Sequence, residues 1–115
     1  MKKSILLILC AGFFLGCESA NIPRGTPSCI KDLIKSISKE PVRNPPAKIY
    51  SYTYQGSTVY YVTPRCCDIP STLIDEKCNS LCAPDGGLGG GGDGRCSDFF
   101  ASRTDQKLIW EDKRK

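Results

Sequence analysis

The chain has 115 residues, with sixteen lysines and arginines against twelve acidic residues, eight cysteines and no histidine. That length supports one small domain, and a formal charge of +4 is too weak for the basic face that nucleic-acid binding requires. Without histidine, the side chain that most often serves as a base near neutral pH is missing.

The first predicted element is an export signal. Lys2 and Lys3 precede an apolar run over residues 4–16. The run is shorter than the roughly 20 apolar residues that span a bilayer, but it has the length and flanks of a cleaved signal. It ends in Phe14-Leu15-Gly16-Cys17, which resembles the lipobox of bacterial lipoproteins. In that motif the cysteine is lipidated, with palmitate among the usual chains, and becomes the new N-terminus. Phe14 is a less usual first residue for the box, and the rival Cys10 follows Leu9, which is too bulky for cleavage. The reading is a lipoprotein signal peptide over 1–16, a lipidated Cys17 with its tether over 17–27, and a single small disulfide-rich domain over 28–115. The expected location is the bacterial cell envelope, with the domain held to a membrane through its lipid. The tether from Glu18 reaches at most about 35 Å.

Processing at Cys17 leaves Cys29, Cys66, Cys67, Cys78, Cys82 and Cys96. An exported domain this small buries little apolar surface per residue, and cross-links commonly make up the deficit. Six cysteines allow 15 pairings, and three disulfides are expected. A bond between the neighbours Cys66 and Cys67 would be strained, so each is expected to reach elsewhere. Without Lys2 and Lys3 the basic residues number fourteen against twelve acidic, a balance of +2.

The segment TPSCIKDLIKSISKE reads as an amphipathic helix. Thr26 can cap it, with Pro27 in the first position, where a missing N–H costs nothing. Cys29, Ile30, Leu33, Ile34 and Ile37 recur at helical spacing, opposite Lys31, Asp32, Lys35 and Lys39, and the helix ends before Pro41. After the extended Arg43-Asn44-Pro45-Pro46, the run KIYSYTYQGSTVYYVTP reads as a hairpin. A type II′ turn at Gly56-Ser57 would set Tyr54 opposite Val59, Tyr52 opposite Tyr61 and Tyr50 opposite Thr63. One face then carries Tyr50, Tyr52, Tyr54 and Tyr61. These four form a candidate binding surface for glycan or protein, or else a core face on which the helix lies, with the phenol oxygens at its rim. Cross-strand tyrosines stabilise sheets in any case, which favours packing.

A second, shorter hairpin is expected over 71–83, with a polar turn at Asp75 to Asn79. Lys107-Leu108-Ile109-Trp110-Glu111 reads as an edge strand with Trp110 as a core plug. The fold class that follows is α+β: one N-terminal amphipathic helix packed on a small antiparallel sheet of hairpins, stapled by disulfides.

Between the two hairpins and that last strand lies CAPDGGLGGGGDGRC, residues 82–96. Its G-x-G-x-x-G match is almost automatic in so glycine-rich a run, and no helix pattern follows it, which excludes a dinucleotide loop. No nucleotide is expected as ligand, and no cofactor. Asp85, Asp93 and Asp98 offer oxygens for calcium, but the spacing fits neither an EF-hand nor a repeated calcium-binding nonapeptide. Zinc is disfavoured because Cys78 and Cys82 are separated by three residues and exported thiolates are usually oxidised. The expected role is a disulfide-framed loop with Cys82 near Cys96, built on turns at Pro84-Asp85-Gly86-Gly87 and Gly92-Asp93-Gly94.

Taken together, Cys29-Ile30, the hairpin around Tyr60-Tyr61 and Cys66-Cys67-Asp68 resemble an uncharacterised family of small bacterial envelope lipoproteins. So do Leu81-Cys82-x-Pro84-Asp85-Gly86-Gly87, Gly92-Asp93-Gly94-x-Cys96-x-Asp98-Phe99 and Ile109-Trp110-Glu111-Asp112. The resemblance implies a lipid-anchored domain and brings no activity. The middle of this glycine loop is richer in glycine than the family pattern, which works against a fixed ligand geometry there. An enzyme is disfavoured: serines lack a recognisable partner and no G-x-S-x-G occurs. The expectation is a non-catalytic envelope binding module for a protein or glycan. The alternatives are an inhibitor of a lysozyme-like or proteolytic hydrolase, and a calcium-binding surface module.

Overall fold

The computed structural model describes residues 22–66 and 68–114. The expected signal peptide, the lipidation site Cys17 and the tether up to residue 21 lie outside the described residues, as does Cys67. The first described element is the helix α1, Ser28–Ser38. It forms because Ile30, Ile34 and Ile37 fall on one stripe and are all buried. Burying a side chain of that size stabilises by about 1.5–3 kcal/mol relative to leaving it in water.

The start of α1 differs from the expected cap. Pro27 is itself the N-cap residue, and no side chain caps the helix. The Thr26 hydroxyl instead donates back to the Pro23 carbonyl at 2.7 Å, closing a turn that aims the chain into the helix. At the other end Arg114 donates to the Ile37 and Ser38 carbonyls, at 3.3 and 2.8 Å. These are carbonyls that a helix leaves unsatisfied at its C-terminus. The Arg114 side chain is held by the buried Asp112 through two hydrogen bonds of 2.9 and 2.7 Å. The end of the chain thus straps the helix down.

Five antiparallel strands follow: β1 Lys48–Tyr54, β2 Ser57–Val62, β3 Thr72–Ile74, β4 Ser80–Cys82 and β5 Thr104–Glu111. They form one sheet in the order β4-β3-β2-β1-β5. A short helix, α2 Phe99–Ser102, precedes β5. The molecule is therefore mostly β. Both expected hairpins are present, and β5 lies at the sheet edge with Trp110 buried, beginning three residues earlier than expected.

The first hairpin turns at Gln55-Gly56, not Gly56-Ser57. Both central residues have positive φ, 53° and 77°, the signature of a type I′ turn, whose twist matches that of the strands. The register is therefore Tyr54 with Ser57, Tyr52 with Val59 and Tyr50 with Tyr61. This is a shift of two residues from the expected pairing. Because side chains alternate with period 2, an even shift leaves every residue on its expected face.

The position of the helix is a second correction. Its isoleucines pack with Ile49, Tyr60, Val62, Ile74 and Trp110, on the face opposite the tyrosine ladder. Tyr52, Tyr54, Val59 and Tyr61 instead pack with Leu73, Cys82, Cys96 and Phe99. The sheet is thus covered on both faces, by a helix on one and by the glycine-rich segment with α2 on the other.

Candidate functional site

The residues singled out in the sequence fall mainly on the tyrosine face, and they are engaged there in packing. Tyr52, Tyr54 and Tyr61 are buried, while Tyr50 is half-buried. Phe99, wholly buried, is the plug of this face. Its ring meets Tyr52 and Tyr54 edge-on at 5.3 and 5.2 Å and stacks on Tyr61 at 6.0 Å. The Arg103 guanidinium lies 5.2 Å from the Tyr52 ring centre and 4.8 Å from that of Phe100. The tyrosines therefore offer little free aromatic surface.

The three aspartates pin the cover in place. Asp85 Oδ1 accepts from the Tyr61 hydroxyl at 2.8 Å and from the Ser71 hydroxyl at 2.6 Å. Asp98 Oδ1 accepts from the Tyr54 hydroxyl at 2.6 Å. Asp93 accepts from the Ala83 and Arg95 backbone N–H groups at 3.1 and 3.0 Å, and from Arg95 Nε at 2.9 Å. Burial, reinforced by the bond to Asp85, pushes the Tyr61 pKa well above its ordinary value. The bond to Asp98 is the largest cause of a rise at Tyr54. At Asp93 the bond from the Arg95 N–H chiefly lowers the carboxyl pKa. Each carboxylate serves a different part of the loop, and no group of three or more His, Cys, Asp or Glu converges among the described residues.

Cys82 and Cys96 are bonded directly, closing the loop at its base. One glycine in it is sterically required. A Cβ at Gly92, where φ is +71°, would overlap the Ala83 carbonyl. A second disulfide joins Cys29 of α1 to Cys78 in the β3–β4 turn, and Cys66 is cross-linked as well.

A concave feature lies on the other face. A groove of about 530 Å³ lies between α1, β2–β3 and the side chains of Thr63, Arg65, Ile69 and Pro70. Leu33 and Ile37 form one wall, Val62 and Ile74 the floor, and Ile69 and Pro70 the opposite wall. The Cys29–Cys78 bond borders one part of the groove, and Arg43 and Arg65 line it as well. Both guanidiniums meet a single carboxylate oxygen, Glu40 Oε1, at 3.2 and 2.9 Å. The Arg43 side chain is only 14% exposed, and its Nε is buried without a hydrogen-bond partner among the described residues. Buried donors of that kind are uncommon in folded proteins.

This volume falls within the range of small-molecule sites, which are typically apolar with a few placed polar groups. What the arrangement can do is hold an apolar body and offer charge at one point. Sequence reasoning missed both arginines, since one stands in a proline-rich connector and the other in a loop. The available signal was Leu33, which widens the apolar stripe of α1 beyond the three isoleucines that the core consumes.

Residues 35–112 match a family described as a domain of unknown function, DUF6970. No curated protein and no solved structure matches the chain. The matched span starts within α1, includes all five strands and closes at the buried Asp112 that holds the C-terminal strap. The chain belongs to the DUF6970 family.

Proposed function

We propose that the protein is a non-catalytic, lipid-anchored binding module of the bacterial cell envelope, with the groove beside α1 as its ligand site. The observation that carries this reading is the groove itself, lined mostly by apolar side chains, with two arginines sharing one carboxylate. The sequence supports the anchor through Gly16-Cys17 after an apolar run. A short tether from Cys17 would keep the groove near the membrane, where apolar envelope components are concentrated.

Two experiments test the parts separately. Palmitate labelling should mark the full chain and be lost in Cys17→Ala; labelling that survives the substitution contradicts the anchor. Native mass spectrometry of the protein isolated from membranes should show an added mass beyond the lipidated chain. Ser36→Trp, which fills the groove from an exposed helix position, should remove that mass. Identical spectra for the two proteins contradict the groove as ligand site.

A second reading, inhibition of an envelope hydrolase, has its own observation. Leu88 is 88% exposed at the tip of the disulfide-closed loop, a shape suited to entering a cleft. Its partner would be a hydrolase, and Leu88→Ser should abolish inhibition without touching the groove.

A further inference from the structure

Building on the groove as ligand site, we infer that its ligand is a single-chain amphiphile bearing one carboxylate, with the head on Arg43 and Arg65 and the chain along Leu33 and Ile74. The charge count around the head position sets the sign. Two guanidiniums converge on one oxygen of Glu40, so the cluster carries one positive charge in excess. Arg65 is about half exposed, with its side chain at 49%, and among the described residues its guanidinium, which carries five N–H groups in a fork that matches a carboxylate, makes one side-chain hydrogen bond, to Glu40. One spare charge calls for one anion.

The remaining lining sets the body. Leu33, Ile37, Val62, Ile69 and Ile74 make most of it hydrocarbon, with Asp32, Ser36, Thr63 and Thr72 as the polar groups among them. Along α1 the groove extends from Cys29 to Ile37, about 12 Å at 1.5 Å per residue, which suits an extended chain. Asp32 sits on this wall, nearer the Cys29 end of α1 and one helical turn before Ser36. Its charge opposes a carboxylate at that end and so orients the ligand with its head at the arginines.

Titration calorimetry of the oxidised protein, below micelle-forming concentrations, tests this with dodecanoate, dodecanol and dodecylammonium. Dodecanoate should bind most tightly, and Arg65→Ala should weaken it by about tenfold, the scale of one hydrogen bond to a charged group, while leaving dodecanol unchanged. Arg65→Lys should recover part of the loss. Equal binding of dodecanol and dodecanoate, both lost in Ser36→Trp, would overturn the carboxylate and keep the groove. Preference for dodecylammonium would overturn it likewise. No binding of any of the three overturns this ligand; if the membrane-isolated protein also carries no mass that Ser36→Trp removes, the groove reading fails with it.

Discussion

The two faces of the sheet are sealed by different means. On one, α1 contributes a row of isoleucines to a largely apolar core and is pinned at its two ends by the Cys29–Cys78 bond and the Arg114 strap. On the other, a glycine-rich segment without regular structure is held by hydroxyl–carboxylate hydrogen bonds, a disulfide and one aromatic plug. A helix is a straight, stiff cover, so it shields one side of a twisted sheet and leaves a groove beside it. A glycine-rich loop can follow the sheet closely, and it leaves the tyrosines little free surface. The groove thus arises from the geometry of the cover and not from the composition of the strands.

The comparison is broken most directly by Phe99→Ala. Removing a fully buried aromatic ring should cost about 4 kcal/mol, read by chemical denaturation, with loss of the near-ultraviolet tyrosine signal. A loss under about 1 kcal/mol would show that the plug is not what holds the cover. Next in size, replacing Cys82 and Cys96 together by alanine should cost roughly 3 kcal/mol by loop closure over their 14-residue separation. Both changes should leave ligand binding in the groove nearly intact; if binding falls in parallel with stability, the two faces are not independent.

Asp85→Ala is smaller. It leaves the Tyr61 and Ser71 hydroxyls without their shared acceptor, and should cost about 2 kcal/mol. Solution pH sharpens the contrast further. Tyr61 has a raised folded-state pKa against an ordinary 10.0. Its stabilising contribution is therefore complete below pH 10 and is lost as the pH rises through the folded value. Asp112 is the reverse case. The Arg114 hydrogen bonds hold its pKa below the ordinary 3.8, so its contribution is present above that value and is lost as the pH falls through the lower folded one. Alkali should thus loosen the Tyr61 contact to Asp85, and acid the Asp112–Arg114 strap on α1, as amide exchange resolved by residue can report. Leu88→Ser should be the weakest change, within about 0.5 kcal/mol.

Much of the helix side could be read from the residues, because a 3.6-residue repeat of isoleucines is a long-range signal carried by local sequence. The face assignment of the tyrosines survived a wrong turn because the error was even. What covers them was not legible. Four residues of α2 are too few to show a period, and the bonds from Tyr54 to Asp98 and from Tyr61 to Asp85 join positions 44 and 24 apart in the chain. The groove was hidden for a related reason. Arg43, Arg65 and Glu40 come from a connector, a loop and the stretch after α1, and only the folded chain brings them together.

The most direct test is a residue-resolved amide NMR titration of the oxidised protein with lipid extracted from bacterial envelopes. The account predicts shifts along Leu33, Ile37, Val62 and Ile74, with the 86–92 loop silent. Shifts confined to that loop, around Leu88, would contradict it and place the binding surface on the tyrosine side.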